Sequence, residues 1–187
     1  RLSGNPAIAR ERLVEALAVQ REIFGAEHVI VARGLVELGQ IELAADQIEA
    51  AKSALTQALA LRQRANGDAH PSLAGPRLFL AAVARAEGNA AEALKQSRAA
   101  VELLAGAKRE DGSIVDWALA NLELGRAQAA TDATAARTTW TAAVDALGAP
   151  GALARQRALL AALKRELGDA GADALRAELA TGGWIRL

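Results

Sequence analysis

The chain has 187 residues, enough for a core of ordinary size, and 52% of them are hydrophobic, with aromatics at only 3%. Its 22 basic residues balance 22 acidic ones with no long basic run, so non-specific nucleic-acid binding has no electrostatic support. No cysteine is present, which excludes disulfides and thiolate metal sites without fixing the compartment, and no apolar run approaches the roughly 20 residues of a membrane helix. Much of the apolar content is alanine, the best helix former, whose short side chain lets helices approach closely. The composition predicts helices packed on helices.

In chain order, a helix is expected after Gly4-Asn5, carrying Ala9 and Ala16 and ending near Gly25. The next spans Val29 to about Ala44, with Val31, Leu35, Leu38, Ile41 and Leu43 at its apolar positions. Asp46 and Glu49 have the spacing of a capping box, which predicts a helix from about Gln47 to Ala65. Its stripe is Ile48, Ala51, Leu55, Ala58 and Leu59, and Asn66-Gly67 ends it. Pro71 suits a first helical turn, so the following helix is expected from Pro71 to Glu87. Asn89 and Glu92 repeat the capping box ahead of a helix with Ala93, Leu94, Ala100, Val101 and Leu104. After a loop from Gly106 to Ser113, one helix carries Trp117 and Leu122. Another, from about Ala133 to Leu147, carries Trp140 and Val144. Beyond Gly148 the pattern fades. Leu153, Leu160, Leu163 and Leu167 mark one more helix, 174–180 a short last one, and Trp184-Ile185-Arg186-Leu187 a tail.

These elements recur. Ala58, Gly67 and His70 each stand 42 residues after Ala16, Gly25 and His28, and Gly88-Asn89 stands 84 after Gly4-Asn5. A fixed offset across a turn glycine, a loop histidine and a small residue marks one repeated supersecondary unit. Leu122-Glu123-Leu124-Gly125 echoes Val36-Glu37-Leu38-Gly39 at an offset of 86, and Asp132 follows Asp46 at the same offset. In this register residue 1 falls at the turn inside a repeat, and a first helix is expected upstream of it. The expected division is 1–147 for the repeats and 148–187 for degenerate capping helices and tail, since a terminal repeat must cover an apolar end.

Leu38, Gly39, Asp46, Ala51, Ala58 and Leu59 in one unit resemble the tetratricopeptide repeat, in the 42-residue variety of kinesin light chains. Leu80, Ala81, Gly88, Ala93, Ala100 and Val101 in the next carry the same resemblance. It extends over about 4–147. It implies an all-α fold: a right-handed superhelix of antiparallel helix pairs, a TPR-like α-solenoid with C-terminal capping helices. First helices would line a concave groove that holds a partner's peptide or helix. The concave positions transfer to Arg33, Val36, Gln40 and Leu43, then Leu78, Ala82 and Arg85, then Leu119, Leu122 and Arg126. On this reading Val36, Leu78 and Leu122 supply apolar contacts. Arg33, Arg85 and Arg126 orient a carboxylate or an acidic peptide, because the guanidinium fork suits planar anions. The family's carboxylate clamp is not expected, since Glu37, Phe79 and Glu123 stand where it places asparagine.

Trp117 opens a first helix and is a candidate for the groove rim, Trp140 for the core, and Trp184 for either a cap on the last helix or the anchor of a homodimer. His28 and His70 lie one repeat apart and read as loop residues rather than metal ligands. No nucleophile–base set and no phosphate-binding loop appears, so neither catalysis nor a cofactor is expected. The expected function is a non-catalytic scaffold for a protein or peptide, with no direct nucleic-acid or membrane contact in this segment. The alternative is a regulatory or dimerisation arm of a larger bacterial protein, such as a kinase or a transcriptional regulator.

Overall fold

The computed structural model describes residues 6–105, 113–147, 161–163, 165, 166 and 168. The chain divides into two units, Arg1–Leu103 and Leu104–Leu187. Among the described residues every regular element is helical.

Unit 1 holds α1 (Pro6–Phe24), α2 (Val29–Ala44), α3 (Ile48–Asn66), a 3-10 turn (Pro71–Leu73), α4 (Ala74–Ala86) and nearly all of α5 (Ala90–Leu104). Helix α1 packs on α2, α2 on α3 and α3 on α4, and α2 also touches α4. That is the connectivity of antiparallel pairs laid side by side. One cluster joins Leu17 of α1, Val31, Leu35 and Val36 of α2, Ala51, Leu55, Ala58 and Leu61 of α3, and Val83 of α4. Burying a leucine such as Leu55 contributes about 2–3 kcal/mol. The alanines add little area, but they set how closely the helices approach.

In the pair α2/α3 Gly39 sits tightly against Leu55, where an added Cβ would stand 2.5 Å from Leu55 Cγ. Ala81 and Ser97, 42 residues later, are both buried at the matching places. Unit 2 repeats the device in α6 (Ser113–Ala129) and α7 (Ala133–Leu147). A Cβ on Gly125 would overlap the indole edge of Trp140, which is fixed by donating from Nε1 to the Leu122 carbonyl at 3.1 Å. Trp140, Ala118, Leu122, Ala136, Val144 and Leu163 form this unit's core. Leu163 is fully buried there, so a residue beyond 148 belongs to the same core as α6 and α7. The two compact units meet at 103/104.

Three local expectations are corrected. Asp46 is not a cap: its φ is +59°, the left-handed conformation that Gly88 takes at +74° one repeat later. In both turns the same bond closes the helix end, Gln47 N–H to Glu42 O and Asn89 N–H to Ala84 O, each 2.8 Å. The α3 N-cap is Gln47, whose side chain makes no capping bond. Asp132 does cap, accepting from Ala135 N–H at 2.9 Å, as Asn89 accepts from Glu92 N–H at 3.1 Å. Asp132 therefore corresponds to Gln47 and Asn89, not to Asp46, and one residue has dropped out between Gly125 and this cap. Finally, Pro71 opens a 3-10 turn and α4 proper starts at Ala74.

Candidate partner-binding face

The first helices of unit 1 separate sharply into buried and exposed positions. Val36 and Leu78 lie in the interior, as does Ala82. Leu43 is half-buried against the core. The expectation that Val36 and Leu78 offer apolar contacts to a guest is corrected. Helices with alanine-rich neighbours approach closely, α2 packs on α4, and the apolar positions close over. What remains at the surface is Arg33, Glu37 and Gln40 on α2, with Arg85 near the end of α4. Arg33 Nε donates to Glu37 Oε1 at 3.3 Å, and the Arg33 side chain is 81% exposed. A pair of this kind in solvent contributes little to stability.

A second guanidinium lies near the first. Arg62 of α3 is partly buried and donates from Nη1 to the Ser72 carbonyl. Burial, and then the positive charge of Arg33, hold its pKa below the ordinary arginine value. Two guanidinium groups thus share one neighbourhood on unit 1. Sequence reasoning missed Arg62 because it stands within the stripe of a second helix, where its aliphatic stem reads as core filling.

In unit 2 Leu122 is buried in the core, and Trp117 and Leu119 pack half-buried against it. Leu122 is thereby also corrected from groove contact to core. Arg126 is held between Glu123 and Glu166, with Nε 2.7 Å from Glu166 Oε1. Burial pulls its pKa down, and the two carboxylates outweigh that and raise it above the ordinary value. An arginine engaged by two acids has its fork already filled. Arg33 and Arg85 are exposed, and Arg126 is half-buried between its two acids. Trp140 is core, as its place on the apolar face implied, and Trp184 lies outside the described residues.

The histidines take matched structural roles. His28 Nδ1 accepts from Ile30 N–H at 3.2 Å and His70 Nδ1 from Ser72 N–H at 3.1 Å, so each caps the start of a first helix. Among the described residues no group of three or more acidic, histidine or cysteine side chains is arranged to hold a metal, and no helix is long and apolar enough to cross a membrane. A shallow cleft of about 400 Å³ lies between the start of α1 and the α2–α3 turn, lined by Arg10, Ile41, Glu42 and Gln47. In it the buried Glu42 accepts from Arg10 Nε at 2.6 Å. The one hint in the sequence was a glutamate set inside the apolar run Ile41–Leu43.

Residues 1–64 match the tetratricopeptide repeat family model. Over those residues the sequence is similar to tetratricopeptide repeats. Its fold is the all-α, TPR-like solenoid of paired helices, and solved structures share it. One is the nearly identical TPR-like repeats from Podosopora anserina that carry a kinesin light chain label. Over 94% of this chain and 88% of that one the TM-score is 0.66, at 24% identity. A single-residue variant of the same protein gives a TM-score of 0.67 at 23% identity over 95% and 88%. No curated protein matches the sequence. Repeats of this type are protein-interaction modules and typically non-catalytic.

Proposed function

We propose that the chain is a non-catalytic scaffold whose unit 1 holds a segment of a partner protein along the exposed polar edge of its first helices. The observation that carries this reading is the split in exposure: Arg33, Gln40 and Arg85 face solvent while Val36, Leu78 and Ala82 are sealed. Recognition there is polar. The exposed guanidinium groups of Arg33 and Arg85 favour an acidic residue on the partner, because their planar fork suits a carboxylate. Contacts of this kind set orientation and association rate more than raw affinity.

The test is fluorescence anisotropy on a panel of labelled amphipathic peptides with and without acidic residues. The acidic members are expected to bind, and Arg33→Glu with Arg85→Glu to weaken them at least tenfold with an unchanged circular dichroism spectrum. Equal affinity for the double variant would remove this edge from the function. Arg126→Glu is the wrong probe, because it leaves Glu123 and Glu166 facing a third acid and destabilises unit 2.

A further inference from the structure

The cleft of unit 1 is a difference between two copies of one turn. Ala7 of α1, Ala45 at the end of α2 and Ala50 of α3 form its walls beside Ile41. One repeat later the places of the three alanines are Glu49, Glu87 and Glu92. Three glutamates there are three methyl groups here, and the space between them is the cleft. In the second copy Lys52 of α3 reaches Glu87, with Nζ 2.7 Å from Oε1. That bond, ahead of the charges of Glu49 and Glu92, holds the Lys52 pKa above the ordinary lysine value. The place one repeat on thus holds an ammonium among carboxylates. The opening belongs to this turn and not to the chain before it. On α3, which α2 covers, Glu49 and Lys52 match Ala7 and Arg10, and both are exposed. A helix packed on α1 as α2 packs on α3 leaves Ala7 and Arg10 as open as they are.

The acid of the first copy has moved inward. Glu42 stands at the place of Ala84, and its side chain is 4% exposed. Arg10, at the place of Lys52, donates from Nε to Glu42 Oε1. Glu42 Oε2 accepts nothing from the described residues, and it is not sealed from solvent. Glu42 lines the cleft, so the cleft is the way to that oxygen. A carboxylate offers about four lone-pair sites to donors, and one bond is made here. A second, positively charged donor is rewarded, because charge-assisted hydrogen bonds in a sheltered place are the strong ones. The surroundings select among cations. A metal ion takes several oxygen ligands, and the walls are methyl groups. A guanidinium fork seeks both carboxylate oxygens, and Oε1 is engaged. An ammonium on an aliphatic chain suits both the lone oxygen and the apolar walls.

We infer that this cleft is a binding site for an aliphatic primary ammonium. Its nitrogen donates to Glu42 Oε2, and its methylenes lie against Ala45, Ala50 and Ile41. A lysine side chain of a partner and a free alkylamine carry this same chemistry. The site takes a cation, whereas the edge of Arg33 and Arg85 takes an acid, so neither reading rests on the other.

The test is proton–nitrogen correlation NMR on the full 187-residue chain, in physiological salt to screen unspecific pairing. n-Butylammonium is titrated beside the blocked tripeptide acetyl-Gly-Lys-Gly-amide, with n-butanol as the uncharged control. Saturable shifts of the Ala45, Gln47 and Ala50 amides are expected with the amine and none with the alcohol. Tighter binding of the tripeptide assigns the site to a partner's lysine, and tighter binding of n-butylammonium to a free amine. Glu42→Gln is expected to weaken binding roughly tenfold, as loss of a charge-assisted bond implies. Glu42 is buried, so a second variant separates binding from folding. Ala50→Leu, at an exposed helical position, fills the cleft without touching either charge. It is expected to abolish binding with an unchanged circular dichroism spectrum. Glu22→Gln, an exposed acid of α1 outside the cleft, leaves binding unchanged. Equal shifts with n-butanol, binding that survives Ala50→Leu, or no saturable shift at all overturns the proposal.

Discussion

In unit 1 a glycine on the first helix meets a leucine on the second; in unit 2 the glycine at the matching place meets a tryptophan. Between them, in α4 and α5, an alanine corresponds to the glycine and a serine to the large residue. The helix pairs are kept at working distance by complementary volumes, large against none and small against small, rather than by one conserved contact. The two glycine interfaces differ in how much they can yield. Leu55 is aliphatic, with rotamers to change. Trp140 is rigid and tethered by its hydrogen bond to Leu122, so any push on it breaks a second interaction.

That difference makes Gly125→Ala the most disruptive small change. Overpacking and the lost indole bond outweigh the gain in helix propensity, at a net cost of about 3 kcal/mol in urea unfolding. The matching Gly39→Ala is expected to cost about 1 kcal/mol, because Leu55 can shift. If the two substitutions cost the same, rigidity of the partner is not what separates the interfaces. Trp140→Leu in the Gly125→Ala background sharpens the point: the double variant should be more stable than the two single costs added together predict, a coupling that a double-mutant cycle measures.

The turns inside the two repeats offer a second contrast. Asp132→Ala removes the acceptor for Ala135 N–H and is expected to lower stability by about 1 kcal/mol. Asp46→Gly should act the other way by about 0.5 kcal/mol, since a non-glycine residue at φ +59° is replaced by the one that adopts it freely. A loss of stability in Asp46→Gly would mean that the Asp46 side chain acts as a cap after all. Thermal melts on both variants decide between the two roles of one residue type.

Among the described residues the order of the helices and most of their ends were legible in the sequence because alanine content, caps and the 42-residue offset agree. The α2 and α7 spans match the sequence expectation, and the two histidines mark the same place in consecutive linkers. The lost residue in the fourth unit was hidden, because Gly125 and Asp132 both echo residues 86 earlier. The signal was present at another spacing. Gly39 precedes Leu55 by 16 residues and Ala81 precedes Ser97 by 16, whereas Gly125 precedes Trp140 by 15. Only volume complementarity gives that comparison meaning. The binding face was less legible. Whether Val36, Leu78 or Leu122 stays open depends on how far neighbouring helices close, and a repeat register does not encode that distance. Arg126 carried no mark of Glu166, which lies 40 residues away in the chain.

The glycine-to-large pairing also bears on how such a chain can be rebuilt by recombination. A crossover between repeats that joins α4 to α3 would set the Ala81 methyl against Leu55. The reciprocal product, α2 with α5, would leave a hollow between Gly39 and Ser97. Exchange is therefore tolerated where whole pairs move together, with breakpoints in the histidine-capped linkers, and selected against at the turns within a pair.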